Sequence, residues 1–251
     1  MRTNIKLGRV FGIEIGLHYS WFLIALLIVM SVVNDFSAAH KDWSRELIWS
    51  LSILTALLFF VSLLLHELAH SLVAKSRGLP VRSITLFALG GVSQIERDPR
   101  DARTEFWMAF VGPLTSVAIG IASLGIARWS GWTPGTSGAV PLVAMLVWLG
   151  YINLGVGFFN LIPGYPLDGG RVLRAIVWWT IKDAERSTRI AARIGEAVGG
   201  LFIALGVVQI FGGAGFNGLW IAFIGWFLVQ AAAESYRAAE IARRQFAEFS
   251  R

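Results

Sequence analysis

Three residues whose side chains could do chemistry lie within five positions of one another: His66, Glu67 and His70. They lie near the end of residues 47–73, and all the remaining residues of this segment are apolar, Ser or Thr. Because a helix turns 100° per residue, positions i and i+4 place both imidazoles on one face, about 6 Å apart. This spacing suits one metal ion. In the zinc motif H-E-x-x-H, the histidines bind the metal and the glutamate acts as general base toward water.

The alternative is a polar cluster without a metal, held together only by hydrogen bonds. It is disfavoured because an ionisable residue inside a membrane helix costs on the order of 3 kcal/mol, and this segment carries three within five positions. A bound cation compensates that cost. The sequence contains no Cys, so His and carboxylate side chains are the zinc ligands that remain. We therefore predict one zinc ion per chain, bound in part by His66 and His70.

Asp168 is the predicted third zinc ligand, since a catalytic zinc takes three protein ligands and keeps one open position. It follows the fourth apolar segment, residues 139–162, in a stretch whose prolines and glycines predict irregular backbone. The second and fourth apolar segments are both expected to run from the outer to the inner side of the membrane. Asp168 should therefore lie at the same face as the histidines. Glu196, about two turns into the fifth segment, remains open as an alternative ligand.

Two asparagines lie about two turns apart on the fourth apolar segment, Asn153 and Asn160. An asparagine in an apolar helix usually packs against another helix, and this is the prediction for Asn153. Asn160 lies eight residues before Asp168. We predict that its carboxamide N–H binds substrate, at the substrate carbonyl or the oxyanion formed from it.

Composition predicts a membrane protein. Only 15% of the residues are charged, against about 25% in soluble domains, and the mean hydropathy is +0.63. The first apolar segment lacks a small-residue cleavage site and is followed by five more, so a removable signal peptide is not expected. Six transmembrane helices are predicted, at residues 17–33, 47–73, 106–127, 139–162, 190–211 and 216–233. The expected fold is therefore an all-α membrane protein, with residues 1–251 forming one domain.

The distribution of charge predicts the orientation of these helices. Of the 22 Lys and Arg residues, 19 fall on the side that carries both termini. The positive-inside rule then places both termini in the cytoplasm, and a plasma-membrane location is expected. The formal net charge of +6 is thus an orientation signal. The lipid bilayer is an expected partner and nucleic acid is not.

Two stretches outside the helices predict a small β element near the membrane. Residues 1–16 alternate apolar and polar side chains and predict one or two strands. Residues 79–98 predict a hairpin that dips toward the histidines, with Gly90 and Gly91 forming its turn. Residues 34–45 are expected to form a polar loop. Gly112-Pro113 predicts a kink or a close-packing point in the third helix.

These motifs together resemble the site-2 proteases, the zinc intramembrane metalloproteases. The resemblance rests on H-E-x-x-H, on Gly90-Gly91, on Gly112-Pro113 and on the stretch F-N-L-I-P-x-x-P-L-D-G-G-R, residues 159–171. It extends in order and spacing over essentially the whole chain. Ser116 departs from the pattern, because an Asn often stands there in the family, and this departure weakens any site role for Ser116. A minimal form of the family is expected, without a PDZ insertion or a paired nucleotide-sensing (CBS) module.

The resemblance implies zinc held by His66, His70 and Asp168, with Glu67 as catalytic base and Asn160 on the substrate. It also implies cleavage of transmembrane segments of membrane-anchored signalling proteins, usually after a first cut by another protease. A hairpin edge would receive the unwound substrate. Two alternatives remain: a metal-ion transporter and a non-catalytic protein that binds membrane helices. The intact Glu67 disfavours the second, and the first requires further ligating groups along a path across the membrane.

Overall fold

The computed structural model describes the backbone of residues 4–249 except 89, 96 and 139. It describes their side chains up to residue 237, except 214. The chain forms two compact units. Unit 1 contains Met1–Asp98 and Val111–Phe158, and unit 2 contains Pro99–Phe110 and Phe159–Arg251.

Seven α-helices are present among the described residues, and six of them are long and apolar enough to cross a membrane. This confirms the predicted multi-pass, mainly helical fold. The helices are α1 Ser20–Ala39, α2 Arg45–Ser76, α3 Ala102–Trp129, α4 Pro141–Asn160, α5 Asp168–Ile181, α6 Ala184–Gln209 and α7 Gly215–Phe249, with α5 the shorter, non-spanning one.

The first helix runs further than its composition predicted. Residues 34–45 were expected to form a loop, but α1 continues to Ala39. Val32 and Phe36, one turn apart, are both buried in an apolar cluster with residues of α2 and α4. The expected loop is wrong over residues 34–39, because an apolar face that still has packing partners keeps the helix going.

Four strands form one sheet in the order β1-β2-β3-β4, where β1 is Ile5–Val10, β2 is Ile13–Leu17, β3 is Val81–Phe87 and β4 is Gly90–Ile95. Both predicted β elements are confirmed, and they join because β2 pairs with β3 in parallel. Ile13, Ile15 and Ile84 pack with Leu68 of α2 in one buried apolar cluster. The sheet is therefore fixed on the helix that carries the histidines.

The predicted turn at Gly90-Gly91 is wrong. Gly90 already pairs with Phe87, so both glycines belong to β4 and the turn precedes them. The reason for a glycine at position 91 is close packing. A Cβ there would lie against Cγ of Glu67 and 2.7 Å from its Cδ. The hairpin does approach α2, as predicted, and it does so through this glycine.

Unit 2 corrects a second expectation. Asp168 was predicted in irregular backbone, but it is the first residue of α5.

Helices α6 and α7 pack through glycines, since a Cβ at Gly199 would lie 2.7 Å from the carbonyl oxygen of Gly225. Glycines allow the two helices to pack closely where residues 195–210 meet residues 218–232.

Candidate metal centre

The two histidines of α2 lie as the motif predicts. His66 is 2% exposed and His70 is 5% exposed, and their Nε2 atoms are 3.1 Å apart. Two nitrogen lone pairs this close repel each other unless a cation, either a proton or a metal ion, is shared by them. Nitrogens bound at about 2.05 Å to one tetrahedral Zn²⁺ stand about 3.3 Å apart. The observed separation therefore fits two ligands of a single zinc ion.

Gly112 of α3 leaves the space beside these nitrogens open. A Cβ at this position would lie against Nε2 of His70 and 2.8 Å from Nε2 of His66. The helix continues through Pro113 to Trp129, so Gly112-Pro113 does not end it. Of the two roles predicted for Gly112-Pro113, the close-packing point is confirmed. Any side chain at position 112 would occupy the volume that a ligand of both imidazoles needs.

Ser116 orients His66. Its Oγ is hydrogen-bonded to Nδ1 of His66 at 2.9 Å, and the serine is 1% exposed. When the serine oxygen accepts the proton of Nδ1–H, the tautomer is fixed and Nε2 presents the lone pair that a metal ligand needs, as in many zinc sites. The sequence interpretation discounted Ser116. A usable signal was present, because residue 116 is four positions after Gly112 and lies on the same face of α3.

Glu67 is half-buried, and a residue of the sheet holds its side chain in place. Ser93 of β4 donates a hydrogen bond from Oγ to Oε2 of Glu67 at 3.1 Å, and Ser71 of α2 donates to Oγ of Ser93 at 3.1 Å. These two hydrogen bonds, together with the close packing at Gly91, restrict the carboxylate of Glu67 to one side of α2. Sequence reasoning missed both serines, although Ser71 lies four residues after Glu67 on the same helical face.

In unit 2, Asp168 is half-buried in the first turn of α5. The preceding loop, residues 161–167, folds back on the start of this helix. A Cβ at Gly169 would meet the backbone of Leu161 and Ile162, and one at Gly170 would meet that of Gly164 and Tyr165. The Asp168 carboxylate thus has a position set by close backbone packing within unit 2.

The remaining predicted residues divide clearly. Asn160 is the half-buried last residue of α4. Asn153 is 1% exposed and donates from Nδ2 to the carbonyl of Leu149, one turn earlier in α4, at 2.9 Å. Glu196 is exposed on α6, a poor environment for a buried metal ligand.

Comparison with known proteins gives a consistent match. Peptidase family M50 matches residues 54–134 and 124–203. Two relatives named as zinc metalloproteases are sll0528 from Synechocystis and Rip3 from Mycobacterium tuberculosis. The first is 40% identical over 96% of this chain and 62% of its own length, and the second is 37% identical over 93% of this chain and 59% of its own length. The chain thus spans about 60% of the length of these relatives.

The solved structure of the site-2 protease from Methanocaldococcus jannaschii is similar over most of both chains. The TM-score is 0.56 with 31% sequence identity, and the match covers 92% of this chain and 94% of the other.

Proposed function

Because the chain belongs to peptidase family M50, we propose that it is a zinc-dependent intramembrane endopeptidase. It would cleave transmembrane segments of membrane-anchored signalling proteins, in the manner that its resemblance to site-2 proteases implies. The observation that carries the proposal is the buried pair of Nε2 atoms 3.1 Å apart, with Glu67 held beside it.

His66, His70 and Asp168 would hold one zinc ion. Two imidazoles plus a carboxylate is a donor set of catalytic zinc sites. A bound Zn²⁺ supplies Lewis acidity, which acidifies water and polarises a carbonyl. The side chains of this chain would supply orientation and proton transfer.

Glu67 is the proposed general base. Its carboxylate would take a proton from the attacking water as the water oxygen bonds to the scissile carbonyl carbon, and the proton would then pass to the leaving amine as the C–N bond breaks. The hydrogen bond from Ser93 engages one carboxylate oxygen, Oε2, and would leave Oε1 for the proton. A carboxylate with one oxygen held by a hydrogen bond and the other facing the proton is suited to act as a general base.

The substrate must unwind before cleavage, since a helical amide is shielded by its own hydrogen bonds. Strand β4 is last in the sheet order, and its Gly91 and Ser93 lie against Glu67. An extended substrate segment paired with this strand would regain backbone hydrogen bonds next to the base. Asn160 would donate its carboxamide N–H to the substrate carbonyl or the developing oxyanion.

Residues 1–251 would act as one metalloprotease domain in the plasma membrane with both termini in the cytoplasm, as the distribution of Lys and Arg indicates. The substrate would be a transmembrane protein already cut by another protease, since a large outer domain would prevent its segment from entering a site within the membrane.

The proposal is tested with purified protein in proteoliposomes and a panel of single-span membrane proteins lacking their outer domains. The unaltered chain should contain one zinc per chain and cut within the span. Glu67→Gln should retain zinc, and its cleavage rate should fall by at least about 100-fold, because general-base catalysis typically contributes about that much to the rate. Glu196→Gln, a matched change at an exposed glutamate, should keep both zinc and cleavage.

The double variant His66→Ala/His70→Ala should contain no zinc. Full cleavage by Glu67→Gln, or zinc retained without the two histidines, would contradict the proposed mechanism. Zinc flux across the liposome membrane without cleavage of any substrate would instead favour the transporter alternative.

A further inference from the structure

A buried ion pair in unit 2 stands apart from the residues assigned above. Nη1 of Arg174 on α5 lies 2.5 Å from Oε1 of Glu105 in the first turns of α3. The glutamate side chain is 1% exposed and the arginine side chain is 16% exposed. Removing one member of such a pair leaves an uncompensated charge, so each residue is confined by the other.

Further contacts fix the orientation of the guanidinium of Arg174. Its Nε donates to Oγ1 of Thr188 on α6 at 2.7 Å, and its Cζ lies over the ring of Trp178, 5.4 Å from the ring centroid. A planar fork with a salt bridge, a hydrogen bond and a ring contact has little rotational freedom. Arg174 therefore joins α3, α5 and α6 at one point.

The same arginine interacts with the loop that precedes Asp168. Tyr165 of this loop is largely buried, and the guanidinium of Arg174 lies near enough to its phenol to lower the pKa of Tyr165. The burial raises the pKa of Tyr165 to about 12, so the phenol is neutral at physiological pH. The backbone of Tyr165 is packed on two glycines: a Cβ at Gly195 would lie 2.8 Å from its nitrogen and oxygen, and one at Gly170 would also meet its nitrogen.

We propose that Arg174, held in place by Glu105, is a positioning residue that sets the place of Asp168. The guanidinium holds Tyr165 and the body of α5, and Asp168 lies between these two points, three residues after the first and six before the second. The inference rests on the proposed function, because it requires Asp168 to be a metal ligand.

Arg174→Lys tests this role, since lysine keeps the charge but loses the fork. Partners outside the ligand set typically change metal affinity by about 10- to 100-fold when they are altered. We therefore expect the zinc dissociation constant, measured by competition with a chelator, to rise by about tenfold or more. The matched control is Arg189→Lys, since Arg189 pairs with Glu185 at 3.0 Å on the surface of α6, with both side chains about 40% exposed.

The visible spectrum of the Co²⁺-substituted protein reports the number and geometry of the metal ligands. It therefore distinguishes a role of Arg174 in positioning Asp168 from a role in stability alone. Asp168→Asn provides the reference for a lost ligand. Arg174→Lys should shift the spectrum toward that reference, and Arg189→Lys should leave it unchanged. If Arg174→Lys unfolds, the double variant Glu105→Met/Arg174→Met removes both buried charges and should fold, with the same spectral shift.

Unchanged zinc affinity and an unchanged Co²⁺ spectrum in a folded variant at position 174 would overturn the positioning role alone. Failure of the proposed function has a different signature: the unaltered chain would bind no metal, or the changes at His66 and His70 would leave binding intact.

Discussion

The two histidines and Asp168 are positioned in different ways. On α2, His66 and His70 are one helical turn apart, so the regular helix brings their Nε2 atoms together, and α3 contributes Gly112 and Ser116. In unit 2, Asp168 follows a folded-back loop and depends on glycine packing and a buried ion pair.

This difference predicts where each region is vulnerable. Helical spacing is a local property of α2, so the histidine pair is sensitive mainly to atoms inserted beside the nitrogens. The position of Asp168 depends on contacts between distant residues, so it is sensitive to changes at several places that touch no predicted ligand. Substitutions should therefore affect zinc binding sharply in unit 1 and more gradually in unit 2.

The largest effect is expected from Gly112→Ala. The new Cβ would lie beside both imidazole nitrogens, so we predict that zinc affinity falls by more than about 100-fold, beyond the usual range for indirect partners. Gly125→Ala on the same helix is the control, because a Cβ there meets no atom within 4 Å. Zinc content after dialysis against a weak chelator measures the difference. Stoichiometric zinc in Gly112→Ala would show that the metal does not sit between these nitrogens.

Gly170→Ala should have the next largest effect. Alanine favours a helix intrinsically, but the methyl group at this position would meet the backbone of Gly164 and Tyr165 and displace the loop before Asp168. We expect zinc affinity to fall by about 10- to 100-fold, as for a displaced ligand support. Gly200→Ala on α6, where a Cβ meets nothing within 4 Å, should leave zinc affinity unchanged. Equal affinities in the two variants would contradict the dependence of Asp168 on this packing.

The same contrast explains how much could be predicted from sequence. The histidine pair and six membrane helices depend on local spacing and on long apolar segments, and both were predicted. The roles of Gly91, Ser93 and Ser116 were missed, because each depends on contact with a residue of α2 that is distant in sequence. Ser116, for example, is 50 positions from His66.

In unit 2, the prolines and glycines of residues 163–170 predicted irregular backbone through Asp168. The glycines at 169 and 170 instead allow the loop to lie directly on the first turn of α5. The ion pair of Arg174 and Glu105 joins residues 69 positions apart, and no sequence motif predicts it. The place of Asp168 in the proposed ligand set stays a prediction that metal-binding experiments must decide.

Ser116→Ala is expected to have a smaller effect, again on the histidine side. The variant removes the partner of Nδ1 of His66 but leaves the spacing of the two histidines unchanged. Loss of such an outer partner should weaken zinc binding by about tenfold. Ser123→Ala is the control, because Ser123 is also buried on α3. Chelator competition on the two variants side by side measures the contribution, and identical affinities would exclude an orienting role.

The smallest effect on metal binding, and a distinct effect on stability, is expected from Tyr165→Phe in unit 2. Burial raises the pKa of the Tyr165 phenol to about 12, although the nearby Arg174 opposes the rise, whereas an unfolded tyrosine titrates near about 10. The folded protein thus holds the proton more tightly than the unfolded chain. The resulting stability is complete below about pH 10 and is lost as the pH rises toward about 12.

The unaltered chain should therefore lose up to about 2 kcal/mol more than Tyr165→Phe between about pH 10 and about pH 12, with denaturant unfolding in detergent as the measurement. Tyr19→Phe, at a largely exposed tyrosine, should retain the full pH dependence of the unaltered chain. At neutral pH the zinc affinity of Tyr165→Phe should change by less than about tenfold, since Arg174 keeps its contacts with Glu105 and Thr188. If both phenylalanine variants lose stability equally with rising pH, the phenol of Tyr165 is not held neutral by burial.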